Sequence, residues 1–152
     1  MYWVRVDNRL IHGQIIETWL PFTKSRRIVV ANDDVAGDPL RQDIMLLAIP
    51  QDIDAVFVAV ERVLTALPPA GTEDAMVLFA SCCDARRAFE SGLPVASLNI
   101  GNLHYGPGKR QICAHVALSQ DDEVCLRYFT TQGVRLDFRC VPNEPVQVAK
   151  AW

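Results

Sequence analysis

The 152 residues carry 15 Lys and Arg against 18 Asp and Glu, a formal charge of −3, and half of them are apolar. That length and apolar share suit one globular domain with a proper core, while the acidic balance offers no broad basic field to a nucleic-acid backbone or an anionic membrane surface. No signal pattern precedes the first strand, no apolar run approaches the roughly 18 residues of a membrane span, and the five cysteines (Cys82, Cys83, Cys113, Cys125, Cys140) lack CxxC spacing, so a cytoplasmic, reduced protein with mostly buried thiols is expected.

In chain order, Tyr2 to Val6 reads as a strand, and the polar turn Asp7-Asn8-Arg9 leads to His12 and a helix from about Gly13 to Leu20 that Pro21 closes. Arg26 to Ala31 is an apolar strand of the kind covered on both faces. Asn32-Asp33-Asp34 caps a helix with apolar positions Ile44, Leu47 and Ala48, which Pro50 stops. A strand over Asp54 to Val60 and a helix over Glu61 to Leu67 follow. Pro68-Pro69-Ala70-Gly71 then turns the chain into the strand Ala75 to Ala80. Ser81 caps a helix over Asp84 to Glu90, and Pro94 to Ile100 is a strand running into Gly101-Asn102. After the loop Tyr105-Gly106-Pro107-Gly108, Ile112 to Leu118 reads as one short strand. Ser119 and Asp121 cap a helix to about Gln132, Gly133 closes it, and Val134 to Val141 is the last strand. The tail after about Pro142 receives no firm structure.

This alternation predicts an α/β fold: a single three-layer domain over residues 1–152, with a mostly parallel sheet flanked by helices on both faces. In such sheets ligands gather at the carboxyl ends of strands, where a helix N-terminus presents unpaired N–H groups to an anion. His12 stands at such an end, beside the loop expected after Phe79. Arg9 lies three residues earlier, within reach of a phosphoryl group carried on the imidazole.

Arg5-Val6-Asp7-Asn8-Arg9-Leu10-Ile11-His12-Gly13-Gln14 followed by Trp19 resembles the active-site segment of IIB components of the bacterial sugar phosphotransferase system, in the mannose/fructose/sorbose family. The resemblance runs from Val4 to about Val141. It includes Ile28-Val29-Val30-Ala31-Asn32-Asp33-Asp34-Val35-Ala36 with Asp38, then Met76-Val77-Leu78-Phe79, and Leu98-Asn99-Ile100-Gly101 with Gly108-Lys109. Three departures stand out. Asn8 occupies a place where many members carry aspartate, Cys82-Cys83 replaces a polar-Pro turn, and Gly101-Asn102-Leu103 replaces a Gly-Gly pair.

The resemblance implies a phosphoryl relay in sugar uptake. His12 accepts phosphate from a phosphohistidine on a IIA partner, as a pros (Nδ1) phosphohistidine, and passes it to a sugar held by the membrane IIC and IID components. The protein would then be a protein-N(pi)-phosphohistidine–sugar phosphotransferase, cytoplasmic, peripherally associated with its permease and not itself membrane-spanning. A neutral imidazole nitrogen is a competent nucleophile near neutral pH, and phosphoryl transfer asks chiefly for positioning and positive charge. Arg9 would supply a planar cation, and Gly13 and Gln14 backbone N–H groups, without metal or other cofactor. Asp7 is assigned to orienting the loop or Arg9.

Outside the motif the simpler readings hold. Trp19 is expected as core or edge packing, the Asn32 to Asp34 run as a helix cap, His104 and His115 as loop and strand residues, and Lys109-Arg110 as a small basic rim. A competing function is a regulatory phosphoacceptor or binding module of the same fold that phosphorylates no sugar. Metal-dependent catalysis by the histidines and cysteines lacks the usual ligand spacings.

Overall fold

The computed structural model describes residues 1–145. The end of the tail, from residue 146 on, lies outside the described residues. Six strands, β1 (Tyr2–Asp7), β2 (Arg27–Ala31), β3 (Asp54–Val58), β4 (Ala75–Phe79), β5 (Ser97–Asn102) and β8 (Arg135–Asp137), form one sheet in the order β3-β2-β4-β1-β5-β8. Every pairing in it is parallel. The fold is α/β, as the alternation predicts.

Strand alternation divides the core into two layers. Val4, Val6, Val29, Ala31, Val77, Phe79, Leu98 and Ile100 point into one cluster. That cluster is covered by α4 (Val63–Ala66), α5 (Cys82–Glu90) and α6 (Gln120–Thr131). Ile28, Val30, Met76 and Leu78 point the other way, against Leu10, Ile15, Trp19, Leu20 and Val35. This second layer is closed by a π-helical turn (Ile15–Trp19) running into α1 (Leu20–Thr23), and by α2 (Asp33–Ala36) with α3 (Pro39–Leu46).

Several boundaries differ from the sequence reading. Pro21 does not close the first helix; it sits in the first turn of α1, where its missing N–H costs nothing. The helix expected after Asn32 is two helices, because Asp38 caps a fresh start at Pro39. Its buried side carries Met45, with Ile49 just beyond, while Ile44 and Leu47 are 59% and 87% exposed. Cys82 and Cys83 belong to the first turn of α5 rather than to a loop, because Ser81 caps immediately before them. Cys82 is buried in the layer away from the second core cluster, and Cys83 meets Cys125 of α6 with 3.1 Å between sulfurs. The stretch read as one strand is an antiparallel hairpin, β6 (Arg110–Cys113) and β7 (Val116–Leu118), so His115 lies in its turn. The N-cap of α6 is a reciprocal box between Ser119 and Asp122, not Asp121. The last strand is only three residues long, β8.

Candidate functional site

Arg5 and Asp7 alternate with Val4 and Val6 along β1, so both sit on the face opposite those valines. Arg5 pairs in register with Asn99 of β5, and the register shifts between Val6 and Asp7, so that Asp7 pairs with Asn102. Gly101 is the residue passed over. A Cβ there would lie 1.9 Å from Arg5 Cζ, so the missing side chain is the space the guanidinium fills. Asn102 and Asn8, two of the departures from the family pattern, meet each other. The Asn102 Nδ2 donates to Asn8 Oδ1 at 2.8 Å, and the Asn8 N–H donates to the Asn102 carbonyl at 3.1 Å.

Arg5 is 1% exposed, a position at which a guanidinium must have partners. Its Nη2 donates to Asp7 Oδ2 at 3.0 Å and its Nη1 to Asn99 Oδ1 at 2.5 Å. Its Cζ stands 5.1 Å from the centroid of the Trp19 ring, cation against π-face. Burial pulls the Arg5 pKa down from its usual value, and the charge and hydrogen bond of Asp7 oppose that pull. Trp19 is buried, and its Nε1 donates to the Cys140 carbonyl at 2.8 Å.

Asp7 itself is fully buried. Burial alone would raise its pKa, but the hydrogen bond to His12 and the charge of Arg5 outweigh it and leave the carboxyl below its ordinary value. Asp7 is therefore an ionised acceptor. Its Oδ1 accepts the Arg9 N–H at 3.0 Å, which turns the chain, and the Leu10 N–H donates to the Asp7 carbonyl at 2.9 Å. Leu10 then takes φ +58°, a left-handed conformation unusual for leucine and one that costs roughly 1–3 kcal/mol. Its side chain is 1% exposed in the second core cluster, and that burial offsets the strain.

This turn delivers His12 back over Asp7. The His12 Nε2 lies 2.8 Å from Asp7 Oδ2, and the side chain is 15% exposed. A carboxylate can only accept, so Nε2 carries the proton and Nδ1 of the neutral ring keeps its lone pair. The Ile15 and Ile16 N–H groups donate to the His12 carbonyl at 3.1 and 3.3 Å, which places the amides of Gly13 and Gln14 ahead of the first internal bonds of the helical segment. The side chain of Arg9 is 40% exposed, with its Nε 3.6 Å from Asp7 Oδ1 and its Nη2 3.5 Å from Gln14 Oε1.

The structure thus brings Asp7, Arg9, His12, Gly13 and Gln14 into one turn. Sequence reasoning missed Arg5, Asn99 and Gly101, which hold that turn from below. The signal was present in Arg5 itself, a charge at an inward position of an apolar strand, but its partner lies on a strand more than ninety residues away. His104 is in a loop, and Lys109 Nζ donates to its carbonyl at 3.1 Å. Arg110 pairs with Glu123 of α6, so the expected basic rim is half neutralised. Asn32 caps α2 by accepting the Val35 N–H at 2.9 Å.

A family profile described as "PTS system sorbose subfamily IIB component" matches residues 1–151. The chain is 33% identical over 142 residues to an N-acetylgalactosamine-specific phosphotransferase enzyme IIB component 2 of Escherichia coli K12, covering 93% of this chain and 90% of that protein. It is 31% identical over 143 residues to a mannose-specific EIIAB component of the same organism, where the match covers 93% of this chain and 44% of the relative. Among solved structures, the IIBSor domain of the sorbose permease from Klebsiella pneumoniae superposes with a TM-score of 0.88 at 32% identity, covering 96% of this chain and 91% of that one.

Proposed function

The chain belongs to the sorbose subfamily of IIB components of the sugar phosphotransferase system, and we propose that His12 Nδ1 accepts a phosphoryl group from a IIA phosphohistidine and yields it to a sugar. The observation that carries this reading is the 2.8 Å contact of Asp7 with Nε2, because it fixes the tautomer and leaves Nδ1 as the nucleophile. The Nδ1–P bond forms as the donor's N–P bond breaks, and the donor imidazole leaves as a neutral ring. In the second step a sugar hydroxyl oxygen attacks phosphorus, the P–Nδ1 bond breaks with its electron pair returning to Nδ1, and the hydroxyl proton passes to solvent or to a base beside the sugar on the membrane component.

Phosphoryl transfer leaves the protein little covalent work, so electrostatics must do the rest. Arg9 is the cation free to swing onto the transferring oxygens, since its side chain is half outside and makes only long contacts. The Gly13 and Gln14 amides face the same charge. Asp7 acts on the ring rather than on phosphate: it orients the imidazole and stabilises positive charge on it in transit. Arg5 supports Asp7, and so acts one step further back.

The partners in this reading are a phosphorylated IIA component and a membrane permease of the IIC/IID kind. The E. coli mannose-specific EIIAB relative supports the first, since its name places IIA and IIB activities in one protein. Among the described residues no helix is long and apolar enough to cross a membrane. We place the chain in the cytoplasm, in peripheral contact with its permease. The activity is that of a protein-N(pi)-phosphohistidine–sugar phosphotransferase.

The test is transfer of labelled phosphate from a phosphorylated IIA to this protein, with the phosphohistidine isomer read by phosphorus NMR and the site by peptide mass mapping. Label on His12 at Nδ1, lost in acid and stable in alkali, supports the proposal. Label at Nε2, or on His104 or His115, overturns it.

A further inference from the structure

We propose that His115, Cys140 and Glu144 form a three-ligand site for a divalent cation of the zinc class. A ring nitrogen of His115, the Cys140 sulfur and a Glu144 carboxylate oxygen all lie within 4.8 Å of one another. The three come from two separate segments, the turn of the β6–β7 hairpin and the turn that follows β8. Their spacing, 25 and then 4 residues, matches no linear zinc motif, so only the fold brings them together.

Both segments are held where the ligands are needed. The Leu103 N–H donates to the His115 carbonyl at 2.9 Å, pinning the hairpin turn to the end of β5. The Cys140 carbonyl receives the Trp19 indole, and the Cys140 N–H donates to Glu144 Oε2 at 3.1 Å, which keeps the carboxylate folded over the thiol. A nitrogen, a sulfur and an oxygen donor suit zinc better than magnesium or calcium, which take oxygen ligands. Bond lengths of 2.0–2.3 Å in a tetrahedron put donors roughly 3.3–3.7 Å apart, so closure asks for a shift of about 1 Å. The exposed His115 ring can make it. Three protein ligands leave the fourth position to water.

Binding converts the Cys140 thiol to a thiolate, and its proton goes to solvent. The thiol now faces Gln14 Oε1 at 3.3 Å, so loading removes that donor and leaves the Gln14 amide to the Arg9 side of the turn. The ion would also tie the closing turn to the hairpin, across the end of the sheet.

The experiment is titration of chelator-stripped, reduced protein with Co²⁺ and then Zn²⁺. One equivalent of Co²⁺ should give a thiolate-to-cobalt charge-transfer band that Zn²⁺ abolishes, and Zn²⁺ should raise the melting temperature in a concentration-dependent way. Cys140→Ser should remove the band. His115→Ala, a change at an exposed turn that leaves the core intact, should weaken binding by about 100-fold, at least the cost of losing a supporting group around a metal. Cys83→Ser should change neither. Absence of a thiolate band in the unmodified protein overturns the proposal, as does a band that survives both Cys140→Ser and His115→Ala, which would place the ion on other thiols. None of these readouts depends on phosphoryl transfer.

Discussion

Asp7 joins Arg5 to His12 through a single oxygen: Oδ2 accepts from the buried guanidinium at 3.0 Å and meets the imidazole Nε2 at 2.8 Å. The imidazole is thereby fixed to a cation in the interior of the sheet, and each of the three residues constrains the other two.

Replacing Asp7 with Asn should therefore damage stability and transfer together. Arg5 loses its counter-charge while remaining buried, a change worth about 3–5 kcal/mol. The amide no longer demands a proton on Nε2, and loss of tautomer control in a comparable carboxylate–histidine pair costs about 10⁴ in rate. Denaturant unfolding and labelled-phosphate transfer measure the two effects. Unchanged transfer would mean that Asp7 does not set the tautomer.

The same carboxylate predicts a pH response. Its folded pKa lies below the unfolded value, which is about 3.9. Its contribution is therefore present above about pH 4 and disappears as pH falls through the folded pKa. Stability measured from neutral pH downward should show an acid limb that is shallower in Asp7→Asn. An identical limb in both proteins would contradict the assignment.

Arg9→Lys should separate chemistry from folding. Arg9 is a surface residue with long contacts, so stability should stay within about 0.5 kcal/mol. Transfer should fall roughly tenfold to thousandfold as the planar fork is lost. His12→Ala should abolish labelling altogether.

Gly101→Ala tests the support beneath the site. A methyl group 1.9 Å from Arg5 Cζ must expel the guanidinium or bend β5, and the cost should reach about 3 kcal/mol or more. Replacing Arg5 by Leu as well should recover part of that loss, because the two changes share one space. Strict additivity in the double-mutant cycle would disprove the steric account.

The cysteines of α5 should differ from each other. Cys83→Ser, at a partly exposed position, should be mild. Cys82→Ser places a hydroxyl at a fully buried position beside Asp122, which can accept its hydrogen bond, so the cost should lie near the lower end of about 1–3 kcal/mol. Both should leave His12 phosphorylation within a few-fold, since Cys82 packs in the cluster of Val4 and Val6, on the face of β1 opposite Arg5 and Asp7, and Cys83 meets Cys125 of α6. Burial pushes the Cys83 thiol up to about 12, which further argues against a nucleophilic role.

Much of this was legible in the chain. Alternating strands and helices gave the parallel sheet, and the Asp7 to Gln14 motif located the turn. What escaped was long-range or lacked a local signal. The Arg5–Asn99 contact depends on strand register, which no local pattern encodes. The β6–β7 hairpin turns at Ala114-His115, which carry none of the Gly, Asn or Asp signals of a tight turn, so two strands read as one. Two of the departures from the family pattern, Asn8 and Asn102, also looked independent until their hydrogen bond showed them to be a pair.

The position of β1 in the sheet has a consequence for how the protein is made. Of the six strands of this sheet β1 comes first in the chain, yet it is an interior one, flanked by β4 and β5, where Val4 pairs with Val77 on one side and Leu98 on the other. Until those strands exist, Arg5 has neither its Asn99 acceptor nor the gap at Gly101, and the His12 turn has nothing to rest on. During synthesis β1 must therefore wait, unpaired and apolar, until β4 and β5 have been made, and closure over such separations is slow. A fragment of this sheet that stops short of β5 will therefore leave an apolar strand edge unpaired and will not hold the Asp7–His12 turn in its folded form.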